Sequence, residues 1–268
     1  MNGVRLAPCI VWAAMLGGCA LTHMPETKLP QTSAEIQQGS TYAYRPLDPL
    51  NARVSRREKD QTPVTNCRIL ELLPDETMRF SVGQIDAVGK VTYGVASAGV
   101  AGHRYQIVLD YMKSTTFLHP LGPQKEPKDD VSAPTYVGIG LRLTAYLAVN
   151  EGNVNLGSLL ALGLAGESKQ VSGSLMLQTL GVSGPSISAA LAIPSDISTA
   201  SIQAALVSIG TIKSKIYDAE TEISPRVVGT YDVFGDDTAK FDTYFGKVLS
   251  DPPELMLRLN SPRCDTST

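Results

Sequence analysis

Charge is scarce in this chain. Only 18% of its 268 residues are Asp, Glu, Lys or Arg, against about 25% in an average globular protein. The net charge of −3 lacks the basic footprint of a nucleic-acid binder. Aromatics make up 6%, with a single Trp. There are three histidines, His23, His103 and His119. None has a second histidine three or four residues on, the spacing that sets two imidazoles on one helix face, so no metal site is expected. No apolar run reaches the roughly 20 residues that a membrane-spanning helix requires. Gly, Ala, Ser and Thr take the place of charge, a balance that suits a β-rich extracytoplasmic protein.

The first residues read as a targeting segment. Arg5 supplies positive charge, and an apolar stretch runs from Leu6 to Leu16, interrupted by Pro8. Leu16-Gly17-Gly18-Cys19 follows directly. This tetrapeptide resembles the lipobox of bacterial lipoprotein precursors, with Leu at −3, small residues at −2 and −1, and Cys at +1. The resemblance covers the signal region alone. It implies removal of residues 1–18, a diacylglycerol thioether on Cys19 and further acylation (palmitate) at the new N-terminus. Ala20 stands where an Asp would retain such a protein at the inner membrane, so the resemblance implies the outer membrane, on its periplasmic or its surface face. The alternative is an ordinary secretory signal cut near Ala20.

Four cysteines need placing. Cys9 lies in the removed segment and Cys19 is the lipid site. Cys67 and Cys264 remain in an oxidising compartment, where a disulfide between them is expected; two buried free thiols are the alternative.

Beyond the signal, residues 19–66 read as an extended tether, polar and Pro-containing, with a mixed charge run from Arg53 to Asp60. A globular domain is expected over 67–260 and a tail over 261–268. Pro74-Asp75-Glu76 reads as a turn. Short strands are expected over Phe80–Ile85 and Gly89–Gly94, and a longer one over Arg104–Leu118. Residues 120–134 hold four prolines and a polar run, an exposed loop. The clearest pattern follows. Val137, Ile139, Leu141, Leu143, Ala145, Leu147 and Val149 alternate with smaller or polar residues, a period of two that marks a strand. A second alternating segment runs from Lys169 to Thr179. Between them, 155–164 reads as a short helix capped by Asn155. Ile202, Ala205, Leu206, Ile209, Ile212 and Ile216 recur at three and four, a helix face, with Ser198 or Thr199 as cap. Pro225–Val233 reads as a strand. Asp236-Asp237 opens a second helix, which Asp251-Pro252-Pro253 stops. Strands first and helices late predict an α+β fold: a mainly antiparallel sheet with two or three amphipathic helices on one face.

Catalytic patterns do not assemble. His103, Asp110 and Ser97 are the material for a hydrolytic triad, but Val95 stands where the first Gly of a nucleophile elbow belongs. Gly138-Ile139-Gly140 is part of a Gly-rich dinucleotide fingerprint, yet its third Gly is missing and it sits in a strand. Asp75-Glu76, Asp129-Asp130 and Asp236-Asp237 read as turn, loop and cap. No cofactor is expected. The leading expectation is a non-catalytic, lipid-anchored envelope protein that meets the membrane through Cys19 and binds an unidentified envelope partner or itself. The alternative is an oligomeric pore-forming lipoprotein that inserts β-hairpins from 136–150 and 169–179, each long enough for a membrane strand. A second alternative is an envelope hydrolase.

Overall fold

The computed structural model describes residues 44–57, 60, 63–94, 98–120, 132–157, 170–191, 196–231, 234 and 237–258. Two long strands dominate it. Strand β6 (Arg104–Pro120) and strand β7 (Ser132–Val149) pair antiparallel along their whole length, from Arg104 opposite Ala148 to Pro120 opposite Ser132. β7 carries the clearest period-two alternation in the sequence, which places successive side chains on opposite faces.

The remaining strands build outward from this pair. Strand β3 (Asp75–Ile85) lies along the other edge of β6, and β4 (Val91–Tyr93) closes that side. The free edge of β7 is shared. Its first half, Thr135–Gly138, pairs with β12 (Arg226–Tyr231), and its second half, Gly140–Val149, with β9 (Val171–Leu180). Strand β1 (Tyr44–Asn51) then pairs with β12. The result is a seven-stranded sheet of order β1-β12-β7-β6-β3-β4, with β9 beside β7, and every ladder in it is antiparallel.

This sheet curls. Ser81 Oγ on β3 donates to the Tyr44 carbonyl on β1 at 2.6 Å, so the first strand lies against the fifth and the sheet approaches a barrel. Glycine permits the tight coil. A Cβ on Gly140, which has φ +157°, would sit 1.9 Å from the Tyr111 carbonyl oxygen.

Helices α1 (Asn66–Leu70), α2 (Pro185–Ala190), α3 (Thr199–Lys215) and α4 (Thr238–Ser250) complete the main elements. The α3 helix begins at Ser198, whose hydroxyl accepts from the Ser201 amide while Ser201 Oγ accepts from the Ser198 amide, a reciprocal cap. Asp237 caps α4 through the Lys240 amide. The main core joins Ile139, Leu141, Leu143 and Leu147 of β7 to Ile202, Ala205, Ile209 and Ile212 of α3 and to Tyr244 and Val248 of α4. The α+β class and the mainly antiparallel sheet are as the alternation predicts. Two-residue pairs, β10 (Val182–Ser183) with β11 (Glu222–Ile223), and three-residue pairs, β5 (Ala98–Val100) with β8 (Asn153–Asn155) and β2 (Arg53–Ser55) with β13 (Glu254–Met256), lie off this sheet.

Three boundaries differ from the sequence reading. The folded region begins upstream of Cys67, because Tyr44–Asn51 is a strand of the main sheet and Arg53–Ser55 a strand of a smaller one. Pro46 and Pro49 mask β1 in the sequence, and both are tolerated where the strand is an outer one and its pairing shifts between Pro46 and Leu50. The expected turn at Asp75 and Glu76 is the start of β3, paired with Ser114 and Lys113. The loop expected over 120–134 gives up Pro120 to β6 and Ser132–Pro134 to β7; its middle, 121–131, lies outside the described residues. Asn155 is the last residue of β8 and helix begins directly after it, at Leu156 and Gly157, as expected; residues 158–169 lie outside the described residues.

Candidate functional site

The curl has an inner face on which buried charged side chains stand beside apolar ones, among them Met112, Leu180 and Val228. Period-two geometry puts Asp110 of β6 and Arg142 of β7 directly opposite each other, both turned inward. Arg142 Nε donates to Asp110 Oδ1 at 2.7 Å and its Nη2 to Oδ2 at 2.6 Å, a bidentate pair. Nη2 also donates to the Val228 carbonyl at 2.7 Å, and Nη1 to the Leu47 carbonyl at 2.6 Å. Tyr44 Oη donates to Asp110 Oδ2 at 2.5 Å. Asp110 is 0% exposed and Arg142 5%. One guanidinium thus ties β7, β6, β12 and β1 together.

Burial of two charges is costly unless their hydrogen bonds are complete, and here they nearly are. Burial works against the charge on Arg142, but hydrogen bonds to Asp110 and the Asp110 charge hold it protonated. Burial, with the Asp110 carboxylate beside it, pushes the Tyr44 phenol well above its ordinary range, partly offset by Arg142. Gly229 of β12 lets the Tyr44 ring in, since a Cβ there would lie 2.4 Å from it.

A second arginine borders this cluster. The Arg79 guanidinium lies 4.0 Å from the centre of the Tyr136 ring, within reach of Tyr44 and Tyr231, and its Nη1 donates to Tyr231 Oη at 2.9 Å. Cation–π contact with three rings offsets its desolvation. Burial alone would raise the Tyr231 phenol, but hydrogen bonds with Tyr136 and Arg79 and the Arg79 charge bring it below its ordinary value. Tyr136 moves the other way, pushed up by burial and by its bond to Tyr231.

Chemically, the cluster is closed. Asp110 accepts three hydrogen bonds and faces no cleft, so it is a keystone rather than a general acid or base. The triad material is not brought together: Asp110 is committed to Arg142 and Tyr44, exposed His103 bonds Gln84 Nε2 through Nδ1 at 2.7 Å, and Ser97 lies outside the described residues. Gly138 and Gly140 serve strand packing instead of a phosphate, since a Cβ on either would strike β6 backbone. A surface depression of about 320 Å³ near Gln178, Ser183 and Ser224 carries one charged side chain, Arg226, which is bonded to Asn51. Among the described residues no cluster of His, Cys, Asp and Glu forms a metal site, and no helix is long and apolar enough to cross a membrane.

Cys19 and Cys264 lie outside the described residues. Cys67, at the start of α1, is disulfide-bonded. The residue after it, Arg68, is buried; its Nη2 meets Asp60 Oδ2 at 2.5 Å and the Arg258 carbonyl at 2.9 Å, while Nη1 donates to the Pro63 carbonyl at 3.1 Å. Sequence reasoning missed both buried ion pairs. The signal for the first was present: one aspartate and one arginine, each in the middle of a long strand with an apolar alternate face. Comparison with protein-family models, curated proteins and solved structures finds no match to this chain.

Proposed function

We propose that this chain is a lipid-anchored protein of the bacterial cell envelope, held at the outer membrane through Cys19, whose domain is a non-catalytic binding or assembly component. The observation that carries the reading is Leu16-Gly17-Gly18-Cys19, placed directly after the apolar stretch. At about 0.8 kcal/mol per buried CH₂, two or three acyl chains anchor firmly where one is marginal. From Cys19 to Tyr44 is 25 residues (44 − 19), which extend to about 90 Å at most. That reach carries the domain clear of the headgroups to meet a second envelope protein or further copies of itself. We place α3 and α4 together on the Leu141 face of the sheet, as a supporting layer. The locked Arg142–Asp110 pair supports a scaffold role, because its groups are spent on holding strands.

A competing reading, the pore built from hairpins 136–150 and 169–179, draws support from the ladder between Gly140–Val149 and Val171–Leu180. Against it weighs Arg142, which would have to leave Asp110 and two carbonyls before β7 could insert. Planar-bilayer recording on the mature lipidated protein separates the two, together with chemical cross-linking in whole cells. The expected result is a discrete cross-linked adduct and no conductance steps. Reproducible steps would overturn the reading in favour of the pore, and a protein that cross-links to nothing would overturn the assembly role.

A further inference from the structure

Three strands lie at the limits of the main sheet, and they differ as edges. Strand β4 is three residues long, while β1 carries Pro46 and Pro49 and shifts register between Pro46 and Leu50. Short length, proline and irregular pairing are means by which sheet edges avoid joining other chains. Strand β9 has none of them. Its ten residues, from Val171 to Leu180, include no charge and no proline. Its ladder with β7 is unbroken from Leu180 opposite Gly140 to Val171 opposite Val149.

That ladder fixes which backbone groups face away from it. Asn150 N–H donates to the Gln170 carbonyl at 2.7 Å, a hydrogen-bonded pair one step beyond Val149 and Val171. Such pairs alternate along antiparallel strands. Val171, Gly173, Leu175, Leu177 and Thr179 therefore turn their N–H and C=O groups away from β7. Among the described residues no strand meets them. Ser172, Gly173 and Ser174 are exposed, and Met176 is 44% exposed. At Gln178 and Thr179 the edge opens on the surface depression, whose other wall includes Pro49 of β1.

We propose that β9 pairs with the β9 of a second copy of this chain, antiparallel about a two-fold axis at Met176. The proposal rests on the assembly reading above and names the partner. Two features single out a second copy. The strand is uncharged, so no like charges oppose its own approach. Its outward groups also match themselves in register. An axis at Met176 sets Leu175 opposite the partner's Leu177 and Gly173 opposite the partner's Thr179, all four turned outward. Met176 then meets its own copy in a close, non-hydrogen-bonded pair, and Ser174 faces the partner's Gln178, a hydroxyl against an amide. The contact uses the same strand on both copies, so it closes at a dimer.

The test uses the full mature chain in its membranes. Met176→Cys places two thiols across the axis, where facing Cα atoms lie about 4.5 Å apart, within disulfide reach. Mild oxidation should give a linked species of twice the chain mass. Thr179→Cys stands six residues along the strand from its own copy (179 − 173), about 20 Å, and should stay single. Met176→Lys sets like charges face to face. It should weaken self-association at least about tenfold by sedimentation in detergent, with the native circular dichroism spectrum kept. No linked species from Met176→Cys, equal linking through Thr179→Cys, or an unweakened Met176→Lys dimer would overturn the proposal. In whole-cell cross-linking of the natural chain, an adduct with a different protein alone would overturn this edge and leave the assembly reading standing. No adduct of any kind would overturn both.

Discussion

At the scale of single residues, the fold turns on Asp110. It accepts three hydrogen bonds in a site closed to water. Asp110→Asn leaves the Arg142 charge buried without a counter-ion, and loss of one member of a buried pair costs about 3–5 kcal/mol. Urea unfolding followed by circular dichroism should show an unfolding free energy lowered by that amount. Asp110→Leu combined with Arg142→Met should restore most of it, since the cost lies in the orphaned charge; a double variant as unstable as the single would contradict this. Tyr44 gives the pH dependence. Its phenol is held well above its ordinary value by burial and by Asp110, so the folded state keeps a proton that the unfolded chain gives up near pH 10. The stability linked to it is whole below pH 10 and is lost as pH rises through the raised value. One such phenol contributes about 1.4 kcal/mol per pH unit in that window. Tyr93, pushed up to about 12 by burial, adds to the same alkaline loss. Tyr44→Phe should therefore flatten the fall in stability between pH 10 and 11, as measured by urea midpoints, while lowering stability at pH 7; equal slopes in the two proteins would refute the coupling.

At the scale of elements, the two long helices, α3 and α4, were the most legible parts. The three-and-four recurrence of Ile202, Ala205, Ile209 and Ile212 is the buried face of α3, and Ser198 is its cap. Ser198→Ala removes both halves of that cap and should cost about 1 kcal/mol, read as a lowered thermal midpoint without change in the native spectrum. The strands β6, β7 and β9 were legible for a related reason: one of their faces meets the main core and the other carries small or polar residues. What was hidden is the second face. Thr144, Arg142 and Asp110 look solvent-facing in a flat sheet, yet they are buried because the sheet curls and β1 crosses over them. Curl depends on where Gly140 and Gly229 allow close approach, and on long-range contact between β1 and β3. Neither leaves a local period. Strand β1 itself was read as part of the tether because its two prolines mimic loop chemistry, and α1 is too short at five residues to show a face.

At the scale of the whole molecule, the described domain is braced twice, once by Arg142 inside the curl and once by Arg68, which reaches from α1 to the Arg258 carbonyl. Both braces take hold of the segment upstream of Cys67: Arg142 at the Leu47 carbonyl, and Arg68 at Asp60 and the Pro63 carbonyl. Under the proposed lipid anchor, load on the tether would pass through the Leu47 carbonyl into β7 and the sheet. The proposed address rests on four residues, Leu16-Gly17-Gly18-Cys19, whereas no local motif encodes a partner. The anchor is the claim on which the rest depends. The most direct test is the intact mass of the N-terminal peptide from membrane-extracted protein, with labelled palmitate, for the natural chain and Cys19→Ser. The account predicts a peptide that begins at Cys19, carries two or three acyl chains and incorporates label, and a Cys19→Ser chain that keeps residues 1–18 and takes up none. An unmodified Cys19, or a mature N-terminus at Ala20 or beyond, would contradict it.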